Sequence, residues 1–347
     1  MSRLTGQFSY ASAECRHATL EEMRRALSKA SPVLKVLFGL SIFAWMAASG
    51  KLNLAQVAKG LAHWPLMLAI LGLGYCQTGM VVWRWTMLLH AQDIPLSFRR
   101  AWGLTMIGAL FNVVIPGAVG GDLIKGYYIT RATEGRKTHA ATSIAMDRVV
   151  GLIGLLFLSA AVVLANVTEI LRNPAMRTLG AIAVAGFVGG LAGLCAALFA
   201  GERLSRWSFL PRIVRDVFAA LHEYRQQPAV VRNTLALSVL SQVLTCCSFY
   251  LALRATGVTG LRMSQFFLIV PLGLVTGAVP ISPAGIGVGQ AAFFALFKIV
   301  APSYASAGTD AFTVFQAMFI LICLSGLFWY VAYKHAELAP GTPPPAS

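Results

Sequence analysis

Two Pro/Gly-rich breaks interrupt otherwise apolar segments, one in each half of the chain. The first reads Phe111-Asn-Val-Val-Ile-Pro-Gly-Ala-Val-Gly-Gly-Asp-Leu-Ile-Lys125, and the second reads Pro280-Ile-Ser-Pro-Ala-Gly-Ile-Gly-Val-Gly-Gln290. In a bilayer, non-helical backbone is tolerated only where protein or a water-filled cavity satisfies its N–H and C=O groups. Broken segments in corresponding halves are typical of proteins with a site near the membrane midplane. The breaks therefore predict a transporter-like core.

The composition indicates an integral membrane protein. Hydrophobic residues make up 57% of the chain and charged residues 12%, against ~45–50% and ~25% in soluble domains. The net charge of +15 is explained by Lys and Arg in short loops, as the positive-inside rule predicts. Since no basic helix is interleaved with stacking aromatics, nucleic-acid binding is not expected.

The apolar runs predict an all-α, polytopic transmembrane helix bundle. Uninterrupted spans of about 20 apolar residues are predicted at Pro32–Gly50, Trp64–His90, Ala141–Asn166, Leu179–Ala200, Thr234–Arg254 and Phe312–Tyr333. The broken regions Arg100–Thr130 and Met263–Val300 are each either two half-helices or a re-entrant loop plus a span. The prediction is therefore roughly seven to ten spans, with an internal repeat suggested by the similarity of the two breaks.

Three regions are predicted along the chain: residues 1–30 as a cytoplasmic tail, 31–335 as the transmembrane domain, and 336–347 as a disordered Pro-rich tail. The distribution of Lys and Arg places the N-terminus in the cytoplasm. Residues 201–232 form a cytoplasmic loop whose apolar positions predict an amphipathic helix. Those positions are Leu210, Val214, Val217, Phe218 and Leu221.

No cofactor or metal site is predicted. The six cysteines lack metal-ligand spacing, and no catalytic motif such as a Walker loop or G-x-S-x-G is present. The oligomeric state is not predicted.

The first break carries the main candidate site. Asp122 and Lys125 are three residues apart, so they share one face of a helix that starts near Gly121. Gly120 and Gly121 allow the backbone to approach a ligand, and the helix N-terminus favours an anion such as a lipid phosphate. Asn112 would orient that ligand. Alternatively, Asp122 only caps the helix.

A second pair of charges, Asp147-Arg148, opens the next apolar span. We hypothesise that Asp122 pairs with Arg148, and that Lys125 pairs with Asp147, around a hydrated cavity. The alternative is a purely structural ion-pair network between two helix ends. Arg84, flanked by two tryptophans, is interpreted as an interfacial anchor.

The second break completes the predicted substrate site. Its Pro283-Ala-Gly-Ile-Gly287 segment resembles the Pro/Gly run of the first break, and each is followed by a polar residue and an apolar helix. We expect Pro283, Gly285, Gly287 and Gln290 to line a midplane cavity. Glutamines inside apolar spans are interpreted as helix-to-helix hydrogen bonders: Gln77, Gln242, Gln265 and Gln316.

Together these motifs resemble the lysylphosphatidylglycerol synthase transmembrane-domain family. They are Phe111-Asn-x-x-x-Pro-Gly-x-x-Gly-Gly-Asp122, Lys125-x-x-Tyr128, Asp147-Arg148-x-x-Gly151 and Pro280-x-Ser-Pro-x-Gly-x-Gly287. The family usually has Arg at the position of Lys125 and Glu at the position of Gln290. The resemblance implies the flippase half of the bifunctional lysyl-lipid enzymes and a location in a bacterial inner (plasma) membrane. Because this chain ends shortly after its last span, we expect no soluble aminoacyl-transferase domain and hence no aminoacyl transfer.

The expected function is to bind a membrane lipid with a phosphate headgroup and translocate it between leaflets. Two alternatives remain open. One is a membrane enzyme that acts on a polyprenyl or isoprenoid lipid, with Asp122 or Asp147 as base or metal ligand. The other is a non-catalytic subunit that works with partner proteins of lipid biosynthesis.

Overall fold

The structure is a computed structural model that describes residues 36–114, 120–132, 137–205, 215, 221–276 and 282–338. Both predicted tails lie outside these residues, as do the tips of the two breaks at 115–119 and 277–281. Of the five apolar positions that predicted the amphipathic helix, Leu221 alone is described.

The predicted all-α bundle is confirmed, since the described residues are almost entirely helical and include no strand. In chain order the helices are α1 (Val36–Ala48), α2 (Leu54–Ala62), α3 (Trp64–His90), α4 (Phe98–Val114), α5 (Gly120–Ala132), α6 (Lys137–Ala165), α7 (Val167–Arg172), α8 (Pro174–Ser205), α9 (Pro228–Ala255), α10 (Met263–Thr276), α11 (Val288–Val300), α12 (Ala305–Leu324) and α13 (Gly326–Leu338). The described chain has five helical stretches long and apolar enough to cross a membrane: Trp64–His90, Thr138–Ala165, Pro174–Gly201, Pro228–Ala255 and Pro302–Tyr333.

Local chemistry determines where several helices begin. Pro174 and Pro228 are the first residues of α8 and α9, a position where the missing N–H of proline leaves no bond unmade. The Asn53 side chain caps α2 by accepting hydrogen bonds from the backbone N–H groups of Ala55 and Gln56, both at 3.1 Å. The long helices therefore start at sequence signals as well as at the onset of apolar runs.

The first break is a re-entrant hairpin. α4 and α5 run in opposite directions, because Ala101 near the start of α4 shares an apolar cluster with Ile129 near the end of α5, and Gly108 lies against Gly121. Both open ends therefore lie at one end of the bundle, beside the last turn of α3. The buried Tyr224 hydroxyl donates to a carbonyl of that turn at 3.0 Å, and we call this the Tyr224 end.

The second break is a hairpin that enters from the opposite end. The Gln265 side chain at the start of α10 donates to the carbonyl of Val300 at the end of α11, at 3.2 Å, so these helices are also antiparallel. Their open ends lie beside Glu169, whose carboxylate accepts hydrogen bonds from Arg262 and Ser264, each at 2.9 Å. We call this the Glu169 end. The two hairpins meet near the middle of the bundle.

The chain contains two copies of one unit, a long helix followed by a re-entrant hairpin and another long helix. The first unit is α3, the α4–α5 hairpin and α6; the second is α9, the α10–α11 hairpin and α12. α3 ends at the Tyr224 end, where α9 begins, so corresponding helices run in opposite directions. α3 packs along α9, while α6 packs on the second hairpin and α12 packs on the first. The suggested internal repeat is therefore an inverted repeat.

Individual contacts follow the same symmetry. Gly154 in α6 lies against Ser238 in α9, and Gly74 in α3 lies against Ile322 in α12. Each contact joins the first long helix of one unit to the last long helix of the other. A glycine at one side of each crossing allows the two helices to approach closely, as is common between transmembrane helices.

Acid pH should weaken the fold at the Glu169 end. Hydrogen bonds from Ser264 and Arg262 hold the pKa of Glu169 below its ordinary value of 4.5. A carboxyl group whose pKa is depressed by folding stabilises the protein at pH values above its ordinary pKa. That stabilisation is lost as the pH falls through the folded-state pKa. We expect the melting temperature, measured by thermal unfolding in detergent, to decrease when the pH is lowered below 4.5. The decrease should be smaller in Glu169→Gln. An identical acid dependence in both proteins would contradict this.

Candidate functional site

One ion pair predicted from the sequence is present in the structure. Arg148 donates through Nε and Nη2 to the two carboxylate oxygens of Asp122, at 2.7 and 2.8 Å. Asp122 lies in the first turn of α5, whereas Arg148 lies about three turns inside α6. Because the contact is bidentate and charge-assisted, it connects the second half of the first hairpin firmly to α6.

Asn112 caps the second half of this hairpin. Its Oδ1 accepts the Gly121 backbone N–H at 2.8 Å, which is the capping role considered above for Asp122. Gly121 is pressed against α4, since a Cβ there would overlap the carbonyl oxygen of Gly108. Gly120, the other predicted glycine, begins α5 and is buried. The Nδ2 of Asn112 has no hydrogen-bond partner among the described residues.

The second predicted pair, Lys125 with Asp147, is wrong. Asp147 Oδ1 accepts instead from Arg84 Nε at 2.7 Å, and both side chains are buried. Arg84 also donates through Nη1 to the Ser238 hydroxyl. The interpretation of Arg84 as an interfacial anchor is therefore also wrong. Its neighbour Trp83 is exposed, whereas helical periodicity turns Arg84 towards α6 and α9.

Lys125 interacts with an aromatic ring. Its ammonium nitrogen lies 3.9 Å from the centre of the Trp85 ring, a cation–π contact, and the lysine is buried. Burial removes this ammonium group from water, and the carboxylates of Asp147 and Asp122 offset part of that cost. Lys125 is therefore held by a ring and by the field of the cluster.

With every group in its ordinary ionised form, the charged cluster contains three cations and two anions, which sum to one excess positive charge. Its members are Arg84, Asp122, Lys125, Asp147 and Arg148. The side chain of Arg148 is 55% exposed, against 6% for Arg84. The excess charge is thus accessible through Arg148. A net charge at membrane depth is costly unless a counter-ion is present.

Amide hydrogen bonds hold the tip of the second hairpin. Gln290 accepts the Gly287 backbone N–H at 2.8 Å and donates through Nε2 to Gln316 Oε1 at 2.7 Å. Gln316 in turn donates to the Ala284 carbonyl at 2.8 Å. Gln316 therefore bonds helix to helix, as interpreted from the sequence, and also anchors the turn.

The turn that begins at Pro283 requires glycine at two positions. Gly285 and Gly287 have φ of 74° and 80°, in the left-handed region that glycine adopts without strain. Gly287 also lies against α1, where a Cβ would overlap the carbonyl oxygen of Gly39. These two predicted residues therefore shape the backbone of the site.

The ion pair and the amide pair occupy equivalent positions in the two units. Asp122–Arg148 and Gln290–Gln316 each join the second half of a hairpin to the long helix that follows it. In both pairs the partners are 26 residues apart. The charged connection of the first unit is thus replaced by a neutral connection in the second.

Another equivalent contact lies three residues further along each hairpin. Lys125 lies over the ring of Trp85 in the first unit. In the second unit, Phe293 stacks on Phe249 with ring centres 4.9 Å apart. Charge is therefore concentrated in the first unit, while the second has uncharged groups at matching positions.

A cavity of about 390 Å³ lies where the two hairpins meet the long helices. Its wall includes Asn112 and Arg148 of the first unit and Ser282, Gly285 and Gln316 of the second. The other polar residues that line it are Gln77, Thr78, Gln242, Thr245 and Ser248. Aromatic and aliphatic side chains complete the wall: Ile70, Leu155, Leu274, Phe312, Phe315, Phe319 and Ile322. This volume falls in the ~300–1,000 Å³ range of small-molecule sites.

The predicted site residues therefore divide into two groups. Asn112, Arg148 and Gly285 line the cavity. The others are not among the residues that line it: Gly120, Gly121, Asp122, Lys125, Asp147, Pro283, Gly287 and Gln290. Within the described part of the chain, no three His, Cys, Asp or Glu side chains are grouped as metal ligands would be.

Fold and site together define a multi-pass α-helical membrane protein with an inverted repeat around a central polar cavity. The family model for the lysylphosphatidylglycerol synthase TM region matches residues 33–326, and the chain belongs to this family. A UPF0104 membrane protein of Methanothermobacter thermautotrophicus is 24% identical over 254 residues, which cover 65% of this chain and 73% of that relative.

Proposed function

We propose that this protein binds a lipid through an anionic phosphate headgroup and translocates it between the leaflets of the membrane. The single observation that carries the proposal is the excess positive charge of the cluster, which is accessible at the cavity through Arg148. A phosphodiester carries one negative charge and would neutralise it. Guanidinium groups bind phosphate oxygens through directed, charge-assisted hydrogen bonds.

The headgroup would be held from the first unit. Two N–H groups of Arg148 are engaged by Asp122, and its Nη1 has no partner among the described residues. Nη1 would bind a phosphate oxygen, and the Nδ2 of Asn112 would donate to another. Asp122 orients Arg148, while Lys125 and the Arg84–Asp147 pair maintain the positive field of the cluster. These residues act by position and charge, without covalent chemistry.

Translocation would use the inverted repeat. Hairpins that enter from opposite ends and meet at a midplane cavity are suited to alternating access, in which one unit moves against the other around a fixed site. We propose that the Tyr224 end faces the cytoplasm, because the connection between α8 and α9 leads to that end and its sequence is rich in arginine. The expected location is a bacterial inner membrane.

Arg148→Gln should slow lipid transfer strongly without preventing insertion into the membrane. The purified full chain is reconstituted into sealed liposomes that contain fluorescent phosphatidylglycerol, and dithionite quenching reports the leaflet of the label. Since a charge-assisted hydrogen bond contributes about 1.5–3 kcal/mol, we expect transfer to slow by about tenfold to a hundredfold. Asp122→Asn, which leaves Arg148 without its bidentate partner, should slow transfer less.

Arg232→Gln is the matched control, because Arg232 is exposed at the Tyr224 end and outside the cavity wall. Wild-type transfer is expected for this variant. Equal transfer by wild type and Arg148→Gln would remove Arg148 from the site. A covalently altered lipid after incubation would instead favour a membrane enzyme.

A further inference from the structure

The second unit contributes an uncharged polar wall to the cavity. The Ser282 hydroxyl is buried, lines the cavity and has no hydrogen-bond partner among the described residues. Buried polar groups are nearly always hydrogen-bonded, and one that lacks a partner in the unbound protein is a candidate for ligand binding. A hydroxyl can both donate and accept, so it matches another hydroxyl.

Two uncharged amide side chains also line the cavity, one from each unit. Gln316 lines the cavity, and its Oε1 accepts only the bond from Gln290 among the described residues. A second lone pair on Oε1 is therefore available. Gln77 lines the cavity from α3, and its amide has no hydrogen-bond partner within the described ranges. Ser282, Gln316 and Gln77 thus present both donors and acceptors without any charge.

The same wall disfavours a cationic headgroup. Among the described residues that line the cavity, Arg148 alone is charged. The nearest carboxylate, Asp122, already accepts from Arg148 with both oxygens. An ammonium group that entered the cavity would therefore lie near a guanidinium group without a free carboxylate, an arrangement that costs binding energy in a medium of low dielectric.

We propose that Ser282, Gln316 and Gln77 form a second subsite, which selects lipid phosphodiesters whose headgroup bears uncharged hydroxyls. The chemistry is that of a glycerol or a sugar linked through a phosphodiester. The inference rests on the proposed function, since Arg148 binds the phosphate. The headgroup hydroxyls beyond the phosphate would bind beside the Gln290–Gln316 pair. This uncharged pair occupies the position in the second unit that Asp122–Arg148 occupies in the first.

The test compares lipids that differ only beyond the phosphate. Short-chain phosphatidylglycerol, phosphatidylinositol, phosphatidylpropanol and lysyl-phosphatidylglycerol are titrated calorimetrically into the purified full chain in detergent. Phosphatidylpropanol has the same charge as phosphatidylglycerol but lacks the hydroxyls. We expect phosphatidylglycerol to bind about threefold to tenfold more tightly than phosphatidylpropanol, and lysyl-phosphatidylglycerol to bind more weakly than phosphatidylglycerol. The phosphatidylinositol arm separates a sugar from a glycerol.

Two variants locate the subsite. Ser282→Ala should remove the preference for phosphatidylglycerol over phosphatidylpropanol and leave the affinity for phosphatidylpropanol unchanged. This change should not unfold the protein, because it removes a hydroxyl that has no described partner. Ser248→Ala is the matched control, since the Ser248 hydroxyl donates to the carbonyl of Leu244 in its own helix. It should bind all four lipids as wild type does.

Each outcome has a distinct meaning. Equal binding of phosphatidylglycerol and phosphatidylpropanol would overturn the subsite while leaving the phosphate site intact. Tighter binding of lysyl-phosphatidylglycerol would overturn it as well. An unchanged preference in Ser282→Ala would remove that residue and its wall from recognition. No binding of any of the four lipids would count against the proposed function itself.

Discussion

Asp147→Leu is expected to destabilise the folded protein by about 3–5 kcal/mol, because it leaves the buried Arg84 without its counter-charge. Arg84 is buried, and its guanidinium bonds only to Asp147 and Ser238 among the described residues. Water cannot readily replace the lost partner at this depth. Unfolding of the purified protein in detergent, followed by circular dichroism against increasing SDS, measures the loss.

The double variant Arg84→Met/Asp147→Leu should recover most of that loss, since removing both charges together also removes the desolvation cost. Glu169→Leu is the control, as it breaks an ion pair whose arginine is exposed and should cost less than about 1 kcal/mol. If Asp147→Leu were as stable as the wild-type protein, Arg84 would not be held by Asp147. A double variant no better than Asp147→Leu would contradict the pairing explanation.

Gly121→Ala is the second substitution with a large expected effect. Its Cβ would overlap the Gly108 carbonyl oxygen and crowd the Asn112 amide. Overpacking of this kind typically costs about 1–3 kcal/mol. If α4 and α5 moved apart to remove the overlap, the hydrogen bond from Gly121 to the Asn112 cap would also break. We expect a lower unfolding midpoint and slower lipid transfer, because Asp122 would move relative to Arg148.

Gly126→Ala provides a matched control in the same helix. A Cβ at Gly126 would meet the Ile144 side chain at 3.7 Å, an ordinary van der Waals distance, and alanine favours the helix over glycine by about 1 kcal/mol. This variant should be as stable as wild type or more stable. If Gly121→Ala and Gly126→Ala behave alike, close packing of the hairpin is not what requires Gly121.

The sequence predicted what depends on local chemistry. Apolar run length identified the long spans, and Pro and Gly at membrane depth identified both breaks. The pair Asp122–Arg148 was predictable because each residue is a charge where charges are costly. The choice between two half-helices and a re-entrant loop plus a span was not predictable, since it depends on whether α5 turns back on α4. That choice is made by contacts such as Gly108 with Gly121.

Arg84 illustrates the main limit. Flanking tryptophans and a nearby helix end are typical of an interfacial anchor, and nothing local reveals that α6 brings Asp147 to this residue. The pairing spans 63 residues of chain. This error also affected the charge count, because a cluster without Arg84 is neutral and a cluster with it is positive. The sequence signal that would have justified a search for a distant carboxylate is the presence of an arginine inside a long apolar span.

The connection through α8 has a consequence for topology. Each hairpin returns to the end from which it enters, so it adds no crossing of the membrane. Each unit therefore crosses the membrane twice, once through its first long helix and once through its last. If α9 followed α6 directly, the second unit would run parallel to the first. Because α8 crosses the membrane once more, the second unit begins at the opposite end of the bundle and has the inverted orientation. A variant whose α8 failed to insert would therefore present both hairpins to the same face of the membrane.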